Sequence, residues 1–364
     1  MHYRIFDCWR FCAAVLVMVY HFMFFAPGTD AAVGPVLMYR FLPMLDAFFM
    51  ISGFVIAARY APGMTTVNDY RRFLRRRLAR IYPLHLVTLL FFAGLGLAGP
   101  LGLMTFQDPA RWAFSDLPLH LAMVHAWGTT DHLGFNYPSW SVSAEFFCYL
   151  LFPVVVLIWR EAGLPGLCLL LFGWIAVLEV WSAQGVFPSG HWTDANTFGA
   201  YRAFADFVAG GLAAALVAGR AIEVRSHVPG GLALAAAFAV MAANQSVHLT
   251  LALLFLAILL TGLSESARPR STEFLAPAMG VLRLSFGIYL LHPVAEALFL
   301  SVLWNRVLEP MAVVGFYPYL VVPMVATVAL AWTSARFFDG PLGRRIAGVK
   351  RPSAAPAPAS LASA

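Results

Sequence analysis

"WRFCAAVLVMVYH", residues 9–21, is an apolar run with a guanidinium near its start and an imidazole at its end. Arg10 and His21 are eleven positions apart. At about 100° per residue that is three turns plus roughly 20°, so one helix face carries both side chains, about 16 Å apart along the axis. Asp7, three residues before Arg10, falls near the same stripe. The run suits hydrocarbon, where an ionisable side chain is costly and marks a functional hypothesis by default.

The rest of the chain has the same character. It is 61% hydrophobic and 12% charged over 364 residues, with a mean hydropathy of +0.76; soluble domains carry about twice that charge. Apolar runs recur near the ~20 residues that cross a bilayer. The fold class is therefore all-α, a polytopic membrane helical bundle. Ten spans are read, over about 8–26, 41–58, 82–99, 139–158, 163–181, 203–219, 229–245, 247–263, 279–302 and 316–336. Segment 118–127 is too short to cross and reads as interfacial or re-entrant. No internal repeat of the kind that pairs transporter halves is found. One membrane domain over 1–345 is expected, followed by a Pro/Ala/Ser-rich disordered tail over 346–364.

The +6 net charge is read as topology, not as nucleic-acid binding. With ten spans both termini lie on one side, and eighteen Arg and Lys residues fall there against four opposite. That bias puts both ends in the cytoplasm. No A-x-A-like cleavage site follows the first run, which reads as a retained signal-anchor. Cys8, Cys12, Cys148 and Cys168 have no metal spacing, and no metal ligand set is read from the chain.

Three stretches carry the candidate chemistry. "RRFLRRRLARIYP", residues 71–83, packs six arginines into ten positions, where positive-inside topology needs two or three. Guanidinium groups at helical spacing can clamp phosphates bidentately; a topology signal or contact with anionic lipid heads is the alternative. The first span supplies Arg10 and His21. "YPSWSVSAEFFCYLLFP", residues 137–153, places Glu145 one or two turns inside the membrane, with His21 as its expected partner, whose imidazole tautomer the carboxylate would fix and whose basicity it would raise. Tyr137 and Trp140 read as interfacial aromatics. Asp46, Ser52 and Gly53 would let helices approach closely, Arg283 and His292 are further polar groups within a span, and Asp206 would pair with Arg202 one turn away. Glu179 and His85 receive no reading.

Taken in order, these stretches resemble the acyltransferase-3 family of integral membrane acyltransferases. "FDCWRFCAAVLVMVYH" resembles its first helix, "FFMISGFVI" its second-helix signature and "RLARIYPLH" its Arg-x-x-Arg-Ile-x-Pro element. "WSVSAEFFCYLLFP" resembles its Trp-Ser-x-x-x-Glu block and "SFGIYLLHP" its Ser-x-x-x-Tyr-Leu-x-His block. In "FFDGPLGRR" an Asp-Gly pair, Asp339 and Gly340, stands where the family's terminal element has Glu. The resemblance runs from residue 3 to about 345. It implies ten membrane helices and transfer of an acyl group, most often acetyl from acetyl-CoA, to hydroxyls of cell-surface carbohydrates. It resembles the stand-alone members, without a fused extracytoplasmic domain.

On that resemblance His21 is the general base, with Arg10 and Glu145 orienting groups or stabilising charge. Arg77 and Arg80, joined by Arg76, bind the nucleotide of the acyl-CoA. Asp7, Asp46, Ser52, Trp140, Ser141 and His292 support the site. The implied partners are acyl-CoA as co-substrate, a carbohydrate or lipid-linked glycan acceptor and membrane lipids, with no permanently bound cofactor, no metal and no nucleic acid. The implied location is the cell (inner) membrane. The competing class is a secondary transporter or flippase, in which Asp46, Glu179, Asp206 and His21 would form a proton or substrate path.

Overall fold

Every apolar run read above is helical in the computed structural model, which describes residues 3–99, 101, 108–220 and 222–348. The helices are α1 (Arg4–Phe22), α2 (Asp30–Tyr39), α3 (Met44–Tyr60), α4 (Val67–Gly96), α5 (Leu117–Leu121), α6 (Trp140–Ala183), α7 (Gly199–Gly219), α8 (Val228–Ala242) and α9 (Val247–Ala267). There follow the short α10 (Met279–Leu282), then α11 (Ser285–Ala295), α12 (Glu309–Met311), α13 (Phe316–Thr333) and α14 (Gly340–Ala347). No strand occurs among the described residues.

Eight helices or helix runs among the described residues are long and apolar enough to cross a membrane. α6 accounts for two crossings, because Gly163 adopts φ 60°, ψ −149° in the middle of its 44 residues. A side chain at that φ is strained, and Pro165 cannot donate to the helix ladder, so the chain turns back there. α8, at 15 residues, is the short tenth. α11 continues as a π-helix over Glu296–Leu308. The outward faces remain apolar, as in Leu169, Phe172, Leu232 and Val325, which is what lipid contact requires. The chain is a multi-pass membrane protein.

Two local features differ from the sequence reading. The arginine-rich segment, which lies outside the span read at 82–99, is continuous with it: both belong to α4, which starts at Val67. A capping box starts the helix there: the Thr66 side chain accepts from the Asp69 N–H, and the Asp69 carboxylate accepts from the Thr66 N–H at 3.0 Å. The expected tail lies outside the described residues from 349 onward, while residues 346 and 347 end α14.

The centre of the bundle is the crossing of α3 and α7. A Cβ on Gly53 would overlap the Phe207 carbonyl oxygen, and one on Gly210 would overlap that of Met50. Backbones therefore touch, as small residues permit between membrane helices. This bears out the expected close approach at Gly53. Asp46 plays a different part there: its carboxylate accepts a bidentate pair from Arg202, Nε to Oδ1 at 2.6 Å and Nη2 to Oδ2 at 2.7 Å. The expected Asp206–Arg202 pair within α7 is replaced by this one across helices, and Asp206 lies buried beside it. A buried guanidinium takes a fork-shaped carboxylate partner whenever the backbones come close enough.

Candidate functional site

On the arginine-rich side, α1, α3, α4, α6 and α11 enclose a cavity of about 90 Å³ lined by Arg10, Ser52, Arg77, Arg80, Glu145 and Phe286 among others. Glu145 accepts a 2.5 Å hydrogen bond from the Ser52 hydroxyl. Arg77 donates to the Tyr60 hydroxyl at 3.0 Å and lies over that ring. Arg10 lies over Phe48 and Arg80 over Phe286. The buried Nε atoms of Arg10 and Arg77 have no hydrogen-bond partner. Buried donors without partners are uncommon, and here three guanidinium groups face one space that a single carboxylate does not neutralise. The cavity is chemically suited to an anion.

At the other end of α1, His21 lines a larger cavity of about 460 Å³ with Tyr39, Tyr137, Trp140, Asp194, Arg202 and Tyr289. Its ring lies 4.5 Å from that of Tyr137 and 5.2 Å from that of His292. The Tyr137 hydroxyl donates to Glu296 Oε2 at 2.7 Å and lies 3.3 Å from His292 Nε2. Arg111 covers the far face of the site, over the Tyr137 ring at 5.2 Å. An imidazole at the wall of a polar, aromatic cavity, backed by a phenol and a carboxylate, has the parts of a proton-transfer site.

Between the two lies a narrow space of about 40 Å³ lined by Leu45, Phe48, Phe49, Ser141, Val142, Glu145, Phe286 and Tyr289. It shares Leu45 and Tyr289 with the large cavity, and Phe48, Glu145 and Phe286 with the cationic one. The three spaces thus follow one another through the bundle. Arg10 and His21 open into different cavities of the series, not into a common one. The expected Glu145–His21 pair is not formed: Glu145 is held by Ser52 on the cationic side, and the neighbours of His21 are Tyr137 and His292. Glu145 lies five residues into α6, and Tyr137, in the 3₁₀ turn Tyr137–Ser139 just before that helix, is the residue set beside His21.

Most of the remaining sequence candidates fall around this series. Trp140 lines the large cavity and packs on Gly199; it is buried, not an interfacial belt residue. Ser141 lines the narrow space and donates to the Pro138 carbonyl at 3.0 Å. Asp7 lies 4.0 Å from Arg283. Arg76 is exposed and does not line the cationic cavity; it lies on α4 one turn before Arg80. Asp46 is engaged by Arg202, and Glu179, near the C-terminal end of α6, is engaged by Trp192, His191 and His248.

Three groupings were not read from the sequence. Tyr137 reads as a belt aromatic in the sequence, yet it lies against His21 and His292 and donates to Glu296. Glu296 had a legible signal, a carboxylate four residues past His292 and so on the same helix face. His85, His120 and His125 stack in the interior, with His120 and His125 ring centres 3.9 Å apart and His85 Nε2 bonded to the His120 carbonyl. Finally, Glu179, His191 and His248 converge with their ligand atoms within 4.8 Å of one another. The three come from separate segments, so no spacing pattern in the sequence could reveal the grouping.

The fold and site define a polytopic helical membrane protein with a cationic cavity, a narrow passage and a histidine-bearing cavity in series. The family model described as an acyltransferase domain matches residues 3–336, and the chain belongs to this acyltransferase family. A curated relative, Acyltransferase MdmB of Streptomyces mycarofaciens, is 44% identical over 117 residues, which are 30% of this chain and 27% of that protein. The chain thus spans about a quarter of the length of the curated relative it matches. No solved structure matches significantly.

Proposed function

We propose that the chain is a membrane-bound O-acyltransferase that moves an acyl group, acetyl foremost, from acyl-CoA to a hydroxyl of a cell-surface carbohydrate such as an exopolysaccharide or lipopolysaccharide. The observation that carries this reading is the series of three cavities along α1. Acyl-CoA is made in the cytoplasm and its nucleotide is strongly anionic. On the topology read from the arginine bias, in the cell membrane with both termini cytoplasmic, the cationic cavity faces that compartment. Arg77 and Arg80 then hold phosphates by charge-assisted bonds, and Arg10 with the Ser52–Glu145 pair lines the entry of the pantetheine arm. The arm passes Phe48 and Phe286, whose rings turn aside, and presents the thioester carbonyl to the large cavity.

There His21 accepts the proton of the acceptor hydroxyl as its oxygen attacks the carbonyl. The carbon–sulfur bond breaks, and CoA leaves as a thiolate that takes up a proton. Tyr137, held by Glu296, and His292 fix the imidazole in place. The reaction needs neutral His21, so the rate falls on acidification as the imidazole becomes protonated. The test is transfer of label from radiolabelled acetyl-CoA to candidate glycans by purified protein. Transfer that is lost in His21→Ala at normal expression supports the reading; undiminished transfer in that variant removes His21 from its role.

A further inference from the structure

We propose that Glu179, His191 and His248 form a binding site for a divalent transition-metal cation, zinc foremost, on the wall of the large cavity. His191 Nε2 lies 3.2 Å from Glu179 Oε2, and His248 Nε2 lies 2.8 Å from Glu179 Oε1. Two imidazole nitrogens thus converge on one carboxylate from segments 12 and 69 residues away. A tetrahedral zinc with bonds of about 2.0–2.1 Å holds its ligand atoms about 3.4 Å apart. The three atoms here already lie within 4.8 Å of one another. Their side chains are 33–51% exposed, so small rotamer changes close the geometry at little packing cost.

The surroundings are built as an outer shell. Trp192 Nε1 donates to Glu179 Oε1 at 2.7 Å, and the Trp192 backbone N–H is held by the Ser182 hydroxyl. His191 Nδ1 lies 2.9 Å from the Thr193 hydroxyl. Nδ1 also accepts from the Thr193 backbone N–H at 3.3 Å, so binding of a cation through Nε2 moves the ring proton to Nδ1, which then donates to the Thr193 hydroxyl as an outer-shell partner. Trp192 and Thr193 are buried, so the platform is firm although the ligands are accessible. Two His and one carboxylate suit zinc and leave a coordination position open. Thr193 and Val247, which flank the ligands, line the large cavity. A bound cation would tie the outer end of α6, the segment before α7 and the start of α9 into one wall.

The test uses full-length protein purified without a polyhistidine tag, stripped with EDTA and then titrated with Zn²⁺. One zinc per chain is expected, with affinity falling more than about 100-fold in His191→Ala and in His248→Ala, beyond the 10–100-fold that loss of an outer-shell partner such as Thr193 costs. Co²⁺ bound to the unaltered protein should give a visible d–d spectrum that Zn²⁺ displaces, a readout that needs no variant to fold. Absence of stoichiometric binding, or binding that survives in the His191→Ala/His248→Ala double variant, overturns the proposal and leaves a hydrogen-bonded cluster only.

Discussion

Replacing Gly210 by alanine tests the argument that the site depends on the backbone contact between α3 and α7. The new Cβ would overlap the Met50 carbonyl oxygen and lie 2.7 Å from the Met50 carbonyl carbon and 2.8 Å from the Phe54 nitrogen. Ordinary contact begins at 3.4 Å, so the carbonyl carbon alone demands 0.7 Å of separation, and the oxygen more. The obstacle is backbone on both sides, and no rotamer change relieves it. α3 must therefore move away from α7 by about an ångström. It carries Asp46, bonded to Arg202 of α7, and Ser52, bonded to Glu145 of α6, so the walls of all three cavities shift with it.

Overpacking of this kind costs roughly 1–3 kcal/mol, and misplacement by about 1 Å lowers an enzymatic rate on the order of 100-fold. The assay is label transfer from acetyl-CoA alongside thermal unfolding followed by tryptophan fluorescence. Gly94→Ala on α4 is the control, because nothing lies within 4 Å of a Cβ there, and it should behave as the unaltered protein. Normal stability and transfer in Gly210→Ala would refute the claim that this crossing sets the geometry.

Removing the His21 imidazole should lower transfer by about 10²–10⁴-fold while the protein still reaches the membrane, checked by labelled product against immunoblot. Arg77→Ala should raise the KM for acyl-CoA far more than Arg76→Ala, because only Arg77 lines the cationic cavity; equal effects would point to bulk charge. Asp46→Ala should destabilise by about 3–5 kcal/mol because Arg202 is left buried without its partner, with Arg202→Met on the same background recovering much of the loss in unfolding assays. His120, outside the crossing helices, is held neutral by burial and by neighbouring His85 and His132, with its pKa pushed down to about 3. An unfolded chain takes up that proton below about 6.5, so stability is present at neutral pH and is lost as pH falls from there toward 3. The acid-induced drop in Tm between pH 7.5 and 5 should therefore shrink in His120→Phe.

What the sequence discloses follows from which interactions are local. Span positions, the helix-spaced arginines and the shared stripe of Arg10 and His21 come from periods of 3.6 residues and from hydropathy, and these survive folding almost unchanged. Gly53 was legible too, as a small residue amid large ones. Partnerships between helices were not. Depth in a span pairs Glu145 with His21, but depth does not say which neighbouring helix a side chain faces, and Glu145 meets Ser52 of α3 instead. Arg202 was matched to Asp206 within its own helix, whereas the close crossing offered it Asp46. The Glu179, His191 and His248 grouping lies across three segments and needs the tertiary fold to exist at all.

The passage between the two larger cavities has one further consequence. It holds about 40 Å³ and its walls include three phenylalanine rings. A constriction this tight, walled mainly by apolar side chains with Ser141, Glu145 and Tyr289 as its polar members, resists the passage of hydrated ions. On the proposed reaction, the part of the donor that enters this passage must be slender, flexible and uncharged, as the pantetheine arm is, while the phosphates of the nucleotide stay behind on the arginine side.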